Sequence, residues 1–206
     1  MIENIFPVQV YKTSYGNVED LRNTLLPVLE PIFQKTIGNN QGSMRDHGLC
    51  SYNAERNLHK LPEFKTVVDF VNEHANNFWT ELGYYGVPCI YEQWANKYPQ
   101  NAFIDIHDHA PITLTASFYL KKESGAGNLV FENPLATILK HQPYSNLHNR
   151  NQYHTLFEHS VEISEGDLVM FPGWLKHRTE ANRSGSDRII IGTNIINKWT
   201  ELPNQF

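Results

Sequence analysis

Residues 103–120 read FIDIHDHAPITLTASFYL, and the reading of this stretch decides the fold. Its second part alternates Thr113, Thr115, Ser117 and Tyr119 against Ile112, Leu114, Ala116, Phe118 and Leu120. Successive side chains of a β-strand point to opposite faces, so one face belongs to an apolar core and the other is lined with hydroxyls. The first part sets Asp105, His107 and His109 at alternate positions of a strand-like run, where they share a face. Two imidazoles and a carboxylate converging in this way suit a metal site if a further donor arrives from elsewhere. His177, 70 residues after His107 and ending DLVMFPGWLKH, is that donor. With ten histidines in the chain, the plain alternative is a polar strand whose imidazoles are hydrogen-bonded to water or to a groove.

Working outward, residues from 84 onward read as β-structure. Strands are expected at Cys89–Tyr98, Ala102–His107, Thr113–Lys121, Asn128–Glu132, Ser160–Ile163, Asp167–Phe171 and Arg188–Asn197. Turn-forming clusters such as Pro99-Gln100-Asn101 and Ser164-Glu165-Gly166 separate them. Many short strands at this spacing predict a sandwich or barrel. Alternation along RIIIGTNI puts Arg188, Ile190, Gly192 and Asn194 on one face, and an arginine on such a strand calls for a carboxylate partner. Residues 134–158 interrupt the rhythm with a polar stretch holding His141, His148 and His154, as a lid or selector loop does. Phe171, Pro172 and Trp174 are expected to wall the site around His177.

The region before residue 84 is of another kind. Ile5–Tyr11 reads as a short opening strand. Asn17 reads as a helix N-cap with Glu19 and Asp20 in the first turn. Leu21, Leu25, Val28, Leu29 and Ile32 share a helical face, but Pro27 and Pro31 predict two short pieces in place of one helix. Gly38–Gly48 reads as a polar loop. Pro62 and Gly83 bracket a second helix whose stripe is Phe64, Val67, Val68, Val71, Ala75, Phe78 and Leu82. His59 and His74 are expected in solvent.

A net charge of −5 and unclustered basic residues argue against nucleic acid as a partner. Two cysteines, Cys50 and Cys89, provide neither a disulfide framework nor ligand spacing, which predicts reduced thiols and a cytoplasmic location. The opening MIENIFPVQVYK has no leader pattern, and no apolar run is long enough to span a membrane.

WANKYPQNAFIDIHDHAPITLTASFYLKKESGAGNLVFENP, followed by EISEGDLVMFPGWLKHRTEANRSGSDRIIIGTNI, resembles a family of iron(II)/2-oxoglutarate oxygenases of bacteria and phages. The likeness spans about residues 85–197. It implies a double-stranded β-helix (the jelly roll of cupins and prolyl hydroxylases), with the N-terminal helices packed on one sheet. The chain is then one oxygenase domain: a strand and helices over 1–84, a jelly-roll core over 85–200, and the 134–158 insertion. The resemblance further implies an iron(II) ion held by His107, His109 and His177. Facial triads ordinarily combine two histidines with a carboxylate, so His109 departs from the pattern, and Asp105 and Asp108 remain alternatives for its place. Arg188 would pair with the distal carboxylate of 2-oxoglutarate and Tyr119 would add a hydroxyl, with Thr115 and Asn96 as further pocket residues. The expected chemistry uses dioxygen to decarboxylate 2-oxoglutarate to succinate and hydroxylates a C–H bond of a small-molecule or peptide side-chain substrate. Two other classes fit the same residues: a cupin-like three-histidine metalloenzyme without 2-oxoglutarate, and a metal-free jelly-roll binding module.

Overall fold

The run RIIIGTNIIN at 188–197 becomes the central strand of the larger sheet, with every residue but the last buried. A computed structural model describes residues 7–38, 42–139 and 157–199. Along the chain the strands are β1 (Tyr11–Ser14), β2 (Met44–Arg45), β3 (Leu49–Cys50), β4 (Pro88–Tyr98), β5 (Phe103–Ile104), β6 (Leu114–Lys121), β7 (Leu129–Glu132), β8 (Glu158–Val161), β9 (Asp167–Pro172), β10 (His177–Thr179) and β11 (Arg188–Asn197). The α-helices are α1 (Val18–Gln34), α2 (Lys65–Glu81) and the short α3 (Ala136–Leu139). Of the 134–158 insertion, residues 140–156, with its three histidines, lie outside the described residues.

The described strands form an antiparallel sheet in the order β1-β9-β6-β11-β4-β3, a smaller sheet β10-β7-β8 and the pair β2-β5. An isolated bridge between His107 and His177 joins the β5 segment to β10. The small sheet thereby continues toward β2-β5 across from the large one. This is the double-stranded β-helix.

Each face of the large sheet has its own layer. Ile189, Ile191 and Ile195 of β11, Ala95 of β4, and Leu114, Ala116, Phe118 and Leu120 of β6 pack with the helices in one cluster. Tyr98, Tyr119, Val169, Phe171 and Ile190 face the small sheet, where Leu129 and Phe131 meet them. The period-two alternation of the β6 sequence is the cause of this division.

Helix α1 is continuous through Pro27 and Pro31, which corrects the expectation of two pieces. Leu21, Leu25, Leu29 and Phe33 recur every four residues and are buried, whereas both prolines are exposed on the opposite side. The carbonyls that lose their helical N–H partners therefore face water. Each interior proline costs about 3 kcal/mol; fully burying Leu25, Leu29 and Phe33 returns about 1.5–3 kcal/mol apiece.

Other boundaries also differ from the sequence reading. The opening strand lies at Tyr11–Ser14 because β9 presents its edge there, pairing Tyr11 with Met170 and Ser14 with Asp167. Residues 44–45, expected in a loop, pair with β5 and bury Met44. His59 and His74 are half-buried: His74 Nδ1 meets the Tyr11 hydroxyl at 2.8 Å, and burial lowers the His59 pKa. Helix α2 runs as expected from a turn at Pro62–Phe64 to Gly83, whose φ of +68° suits a residue without Cβ.

Leu29→Ala is expected to lower unfolding free energy by about 2–5 kcal/mol. Pro27→Ala should raise it by about 1–3 kcal/mol, because the exposed position regains a helical hydrogen bond. Urea unfolding midpoints of the two variants, moving in opposite directions, check this account of α1.

Candidate functional site

The backbone after Ile104 leaves the strand, so His107 and His109 are not successive members of one ladder as the alternation suggested. His107 exchanges two backbone hydrogen bonds with His177, N–H to O at 3.0 and 2.9 Å, and the His109 N–H donates to the Gly173 carbonyl at 2.7 Å. These bonds tie the 105–109 segment to the end of β9 and the start of β10, bringing the three imidazoles together. The ring centroids lie 4.3 Å apart for His107 and His177, 5.1 Å for His107 and His109, and 5.2 Å for His109 and His177. One ligating atom from each lies within 4.8 Å of the others.

Ring orientation is set by carbonyl acceptors. His107 Nδ1 lies 2.8 Å from its own segment's Asp105 carbonyl, and His177 Nδ1 lies 2.9 Å from the Leu175 carbonyl. A carbonyl only accepts, so both Nδ1 atoms carry the proton and both Nε2 lone pairs remain for a metal. Burial is the largest cause lowering all three pKa values, with His109 brought down to about 4 and His177 well below the ordinary value. The cluster is therefore neutral at neutral pH, the state in which imidazole ligates. Phe171 stands edge-on to His177 at 4.6 Å, with Phe131 behind it at 6.3 Å. Trp174 is 48% exposed, so it does not enclose His177 as the sequence suggested; Phe131 takes that part.

Neither alternative carboxylate enters the cluster. Asp105 forms an ion pair with Arg45 at 2.6 Å. Asp108 is exposed and accepts the Ala110 N–H. The donor set brought together among the described residues is three histidines.

From this cluster a polar row runs down the inner face of the large sheet. Register pairs Arg188 with Tyr98, Ile190 with Asn96, Gly192 with Trp94 and Asn194 with Glu92. On the other side Ile190 meets Tyr119 and Asn194 meets Thr115. Arg188 is fully buried, its guanidinium 4.2 Å from the Tyr98 ring centre. It donates to the carbonyls of Ala126 and Glu180 and to the Thr179 hydroxyl, and it makes no ion pair among the described residues. The carboxylate that the sequence called for is not supplied by these residues. The Arg188 Nε, the Tyr119 hydroxyl and the Asn96 Oδ1 are buried without a partner among the described residues. Three residues singled out in the sequence thus carry orphaned polar atoms on one enclosed face, and such atoms are costly unless a ligand engages them. Thr115 differs, because its hydroxyl is committed to Asn194 Oδ1 at 3.1 Å.

Sequence reasoning missed Glu92 and Asn194 as neighbours of the cluster. Asn194 Nδ2 donates to Glu92 Oε1 at 2.8 Å, and the Asn194 side chain lies beside the His109 ring. Trp94 stacks on His109 with ring centres 5.7 Å apart. A separate open cleft of about 470 Å³, lined by Lys122, Arg178, Glu180 and Arg183, lies outside this face; Glu158 and Asn101 already occupy its arginines.

A jelly roll with a partly buried, neutral, metal-competent histidine cluster beside a polar pocket is the arrangement of a non-haem metal oxygenase. Residues 92–194, half of the chain, match the family model "Putative 2OG-Fe(II) oxygenase", and the protein belongs to that family. It is an iron(II)- and 2-oxoglutarate-dependent dioxygenase, with iron(II), 2-oxoglutarate and dioxygen as its cofactor and co-substrates. Among proteins of curated function, none matches the sequence. In fold it is similar to a prolyl-4-hydroxylase of Pseudomonas putida (TM-score 0.62, 14% identity, covering 93% of this chain and 94% of that one). AviO1 from Streptomyces viridochromogenes is also similar (0.64, 16%, 95% and 92%), as is HygX from Streptomyces hygroscopicus, solved with nickel and 2-oxoglutarate (0.58, 10%, 93% and 84%).

Two outcomes follow from the geometry. A Cβ on Gly192 would lie 2.6 Å from the Trp94 ring, so Gly192→Ala should cost about 1–3 kcal/mol by overpacking and weaken divalent-cation binding by shifting Trp94 off His109. Calorimetric melting and cation titration read both effects. Second, imidazoles with lowered folded pKa values are protonated first in the unfolded chain. Stability of the metal-free protein should therefore fall as pH drops from about 6.5 toward 4. Urea midpoints across that window, with a shallower slope in His109→Gln, check the sign.

Proposed function

We propose that the enzyme is a hydroxylase in which His107, His109 and His177 hold iron(II) while Arg188, Tyr119 and Asn96 hold 2-oxoglutarate. The observation that carries this is the alignment of two orphaned donors, the Arg188 Nε–H and the Tyr119 hydroxyl, with the Asn96 side chain on the same buried face that leads from the histidines. A dicarboxylate with one end at the metal and the other at Arg188 meets the donors Nε–H of Arg188 and O–H of Tyr119, which no other described residue occupies. Stacking on Tyr98 and three anchoring acceptors keep the Arg188 guanidinium in place before the co-substrate arrives, so little ordering remains to oppose binding.

When bound, iron with 2-oxoglutarate and dioxygen supplies the oxidising chemistry, which the protein's own groups cannot provide. The protein's part is positional. Nδ1–H bonds to the Asp105 and Leu175 carbonyls aim the His107 and His177 lone pairs. Phe131 and Phe171 exclude water behind His177. Exposed Ile106 and Trp174 flank the histidine-bearing segments, which supports an approach of a small molecule or peptide side chain from that side. Cys50 and Cys89 form no disulfide, and burial pushes the Cys50 thiol up to about 11; unreactive thiols of this kind support a cytoplasmic setting.

Anaerobic addition of 2-oxoglutarate to protein loaded with iron(II) should produce a visible metal-to-ligand charge-transfer band. His177→Ala should abolish the band. Tyr119→Phe, which removes one oxygen from the pocket, should weaken 2-oxoglutarate binding about tenfold, and Arg188→Ala should weaken it more, since hydrogen bonds to a charged group contribute about 1.5–3 kcal/mol. Iron binding without a band in the unaltered protein would instead indicate a three-histidine enzyme that does not use 2-oxoglutarate.

A further inference from the structure

Only two acidic residues are buried among the described residues, Glu92 and Asp167. Asp167 is paired with Lys12 at 2.9 Å. Glu92 is 5% exposed and makes no ion pair among the described residues. Its two oxygens accept from neutral donors, Tyr52 Oη at 2.9 Å and Asn194 Nδ2 at 2.8 Å. A carboxylate taken out of water without a cation is costly, and these two hydrogen bonds hold it without neutralising it. Arg56, exposed, lies over Tyr52 with its guanidinium 5.7 Å from the ring centre and acts on the same hydroxyl, but it makes no ion pair with Glu92 among the described residues.

The histidine cluster has the opposite imbalance. Three neutral imidazoles leave a divalent cation with one negative charge fewer than two histidines and a carboxylate would supply. The two imbalances are connected. Glu92 bonds Asn194, and the Asn194 side chain lies beside His109, the very ligand that stands where the usual carboxylate would. A second route returns to the same ring, for Tyr52 packs edge-on against Trp94 at 5.5 Å and Trp94 stacks on His109. The β4–β11 register sets Glu92 directly opposite Asn194, one pair before the shift at Ile195.

We infer that Glu92 is the positioning and charge-compensating residue of the metal centre, acting on the ion through Asn194 and His109 in place of a directly bound carboxylate. This rests on the assignment of the three histidines as ligands. With the ion bound, the buried carboxylate gains a cation and the cation gains its anion; without it, each is a cost of the fold.

The test measures binding of iron(II), anaerobically, and of cobalt(II) to the full-length protein by competition with a chelating dye. It adds the Fe(III)/Fe(II) midpoint potential and the melting temperature of the metal-free protein. His177→Ala serves as the reference for loss of the site. Glu92→Gln keeps the shape and removes the charge. It should weaken both metals about 10- to 100-fold, as loss of a group supporting a ligand does, raise the potential, and leave metal-free melting unchanged or higher. Glu92→Asp should recover part of the affinity and potential. Asn194→Ala, which cuts the link but keeps the carboxylate, should fall between. Unchanged affinity and potential in Glu92→Gln, or lowered metal-free melting with unchanged affinity, would overturn the inference and leave Glu92 a structural residue. If the unaltered protein binds neither metal, or His177→Ala binds as well as it does, the ligand assignment itself fails and the role of Glu92 falls with it.

Discussion

The paired backbone hydrogen bonds between His107 and His177 are the constraint on which the rest of the site depends. Residues 70 apart in sequence are held there in antiparallel register, and closing so long a loop carries a large entropic cost. What offsets it is the sheet on each side. β10 is already paired with β7, which sets His177 opposite Phe131, and the 105–109 segment follows directly from β5. Given those two anchors the bridge costs little more, and with it the directions of both rings are determined by their own carbonyls.

Behind the bridge stands β11, which serves two environments at once. Its isoleucines at 189, 191 and 195 face the helices, whereas Arg188, Gly192 and Asn194 face the site. Because that side is covered and apolar apart from Thr193, which Gln93 satisfies at 3.0 Å, the strand cannot slip by one residue without turning Arg188 into the helical core. Packing of α1 and α2 therefore fixes the functional row even though neither helix carries any of its residues. The prolines of α1 are tolerated for the same reason: the helix is held by its stripe on the sheet, and its outer surface is free to lose hydrogen bonds to water.

Much of this was legible in the sequence. Alternation along 112–121 and 188–197 located the two faces of the central strands, and the stripe over 64–82 located α2. The meeting of His107, His109 and His177 was also readable, although for a partly wrong reason. The expected continuous strand through Asp105 is a bridge and a turn, so Asp105 swings to Arg45 and not toward the histidines. Glu92 and Asn194 could not be found in this way, because their relation comes from pairing between strands about 100 residues apart, and one residue of register would have separated them. The continuity of α1 was hidden because the proline penalty, which still applies at exposed positions, is outweighed by burial of the Leu21, Leu25, Leu29 and Phe33 stripe.

The site collects costs that the folded protein has to carry. Three imidazoles are partly desolvated beside one another, and among the described residues an arginine is buried without a carboxylate and a carboxylate without a cation. Orphaned oxygens and an orphaned N–H lie between them. An ordinary core of this size would replace such groups with apolar ones, since paired charges in an interior seldom stabilise more than well-packed hydrophobic residues. Under the proposed assignment, the histidines suit a cation, and the Arg188 and Tyr119 donors suit a dianion that reaches them. Selectivity would follow from the same groups: a ligand of the wrong charge, or one too short to span the row, leaves them unpaired.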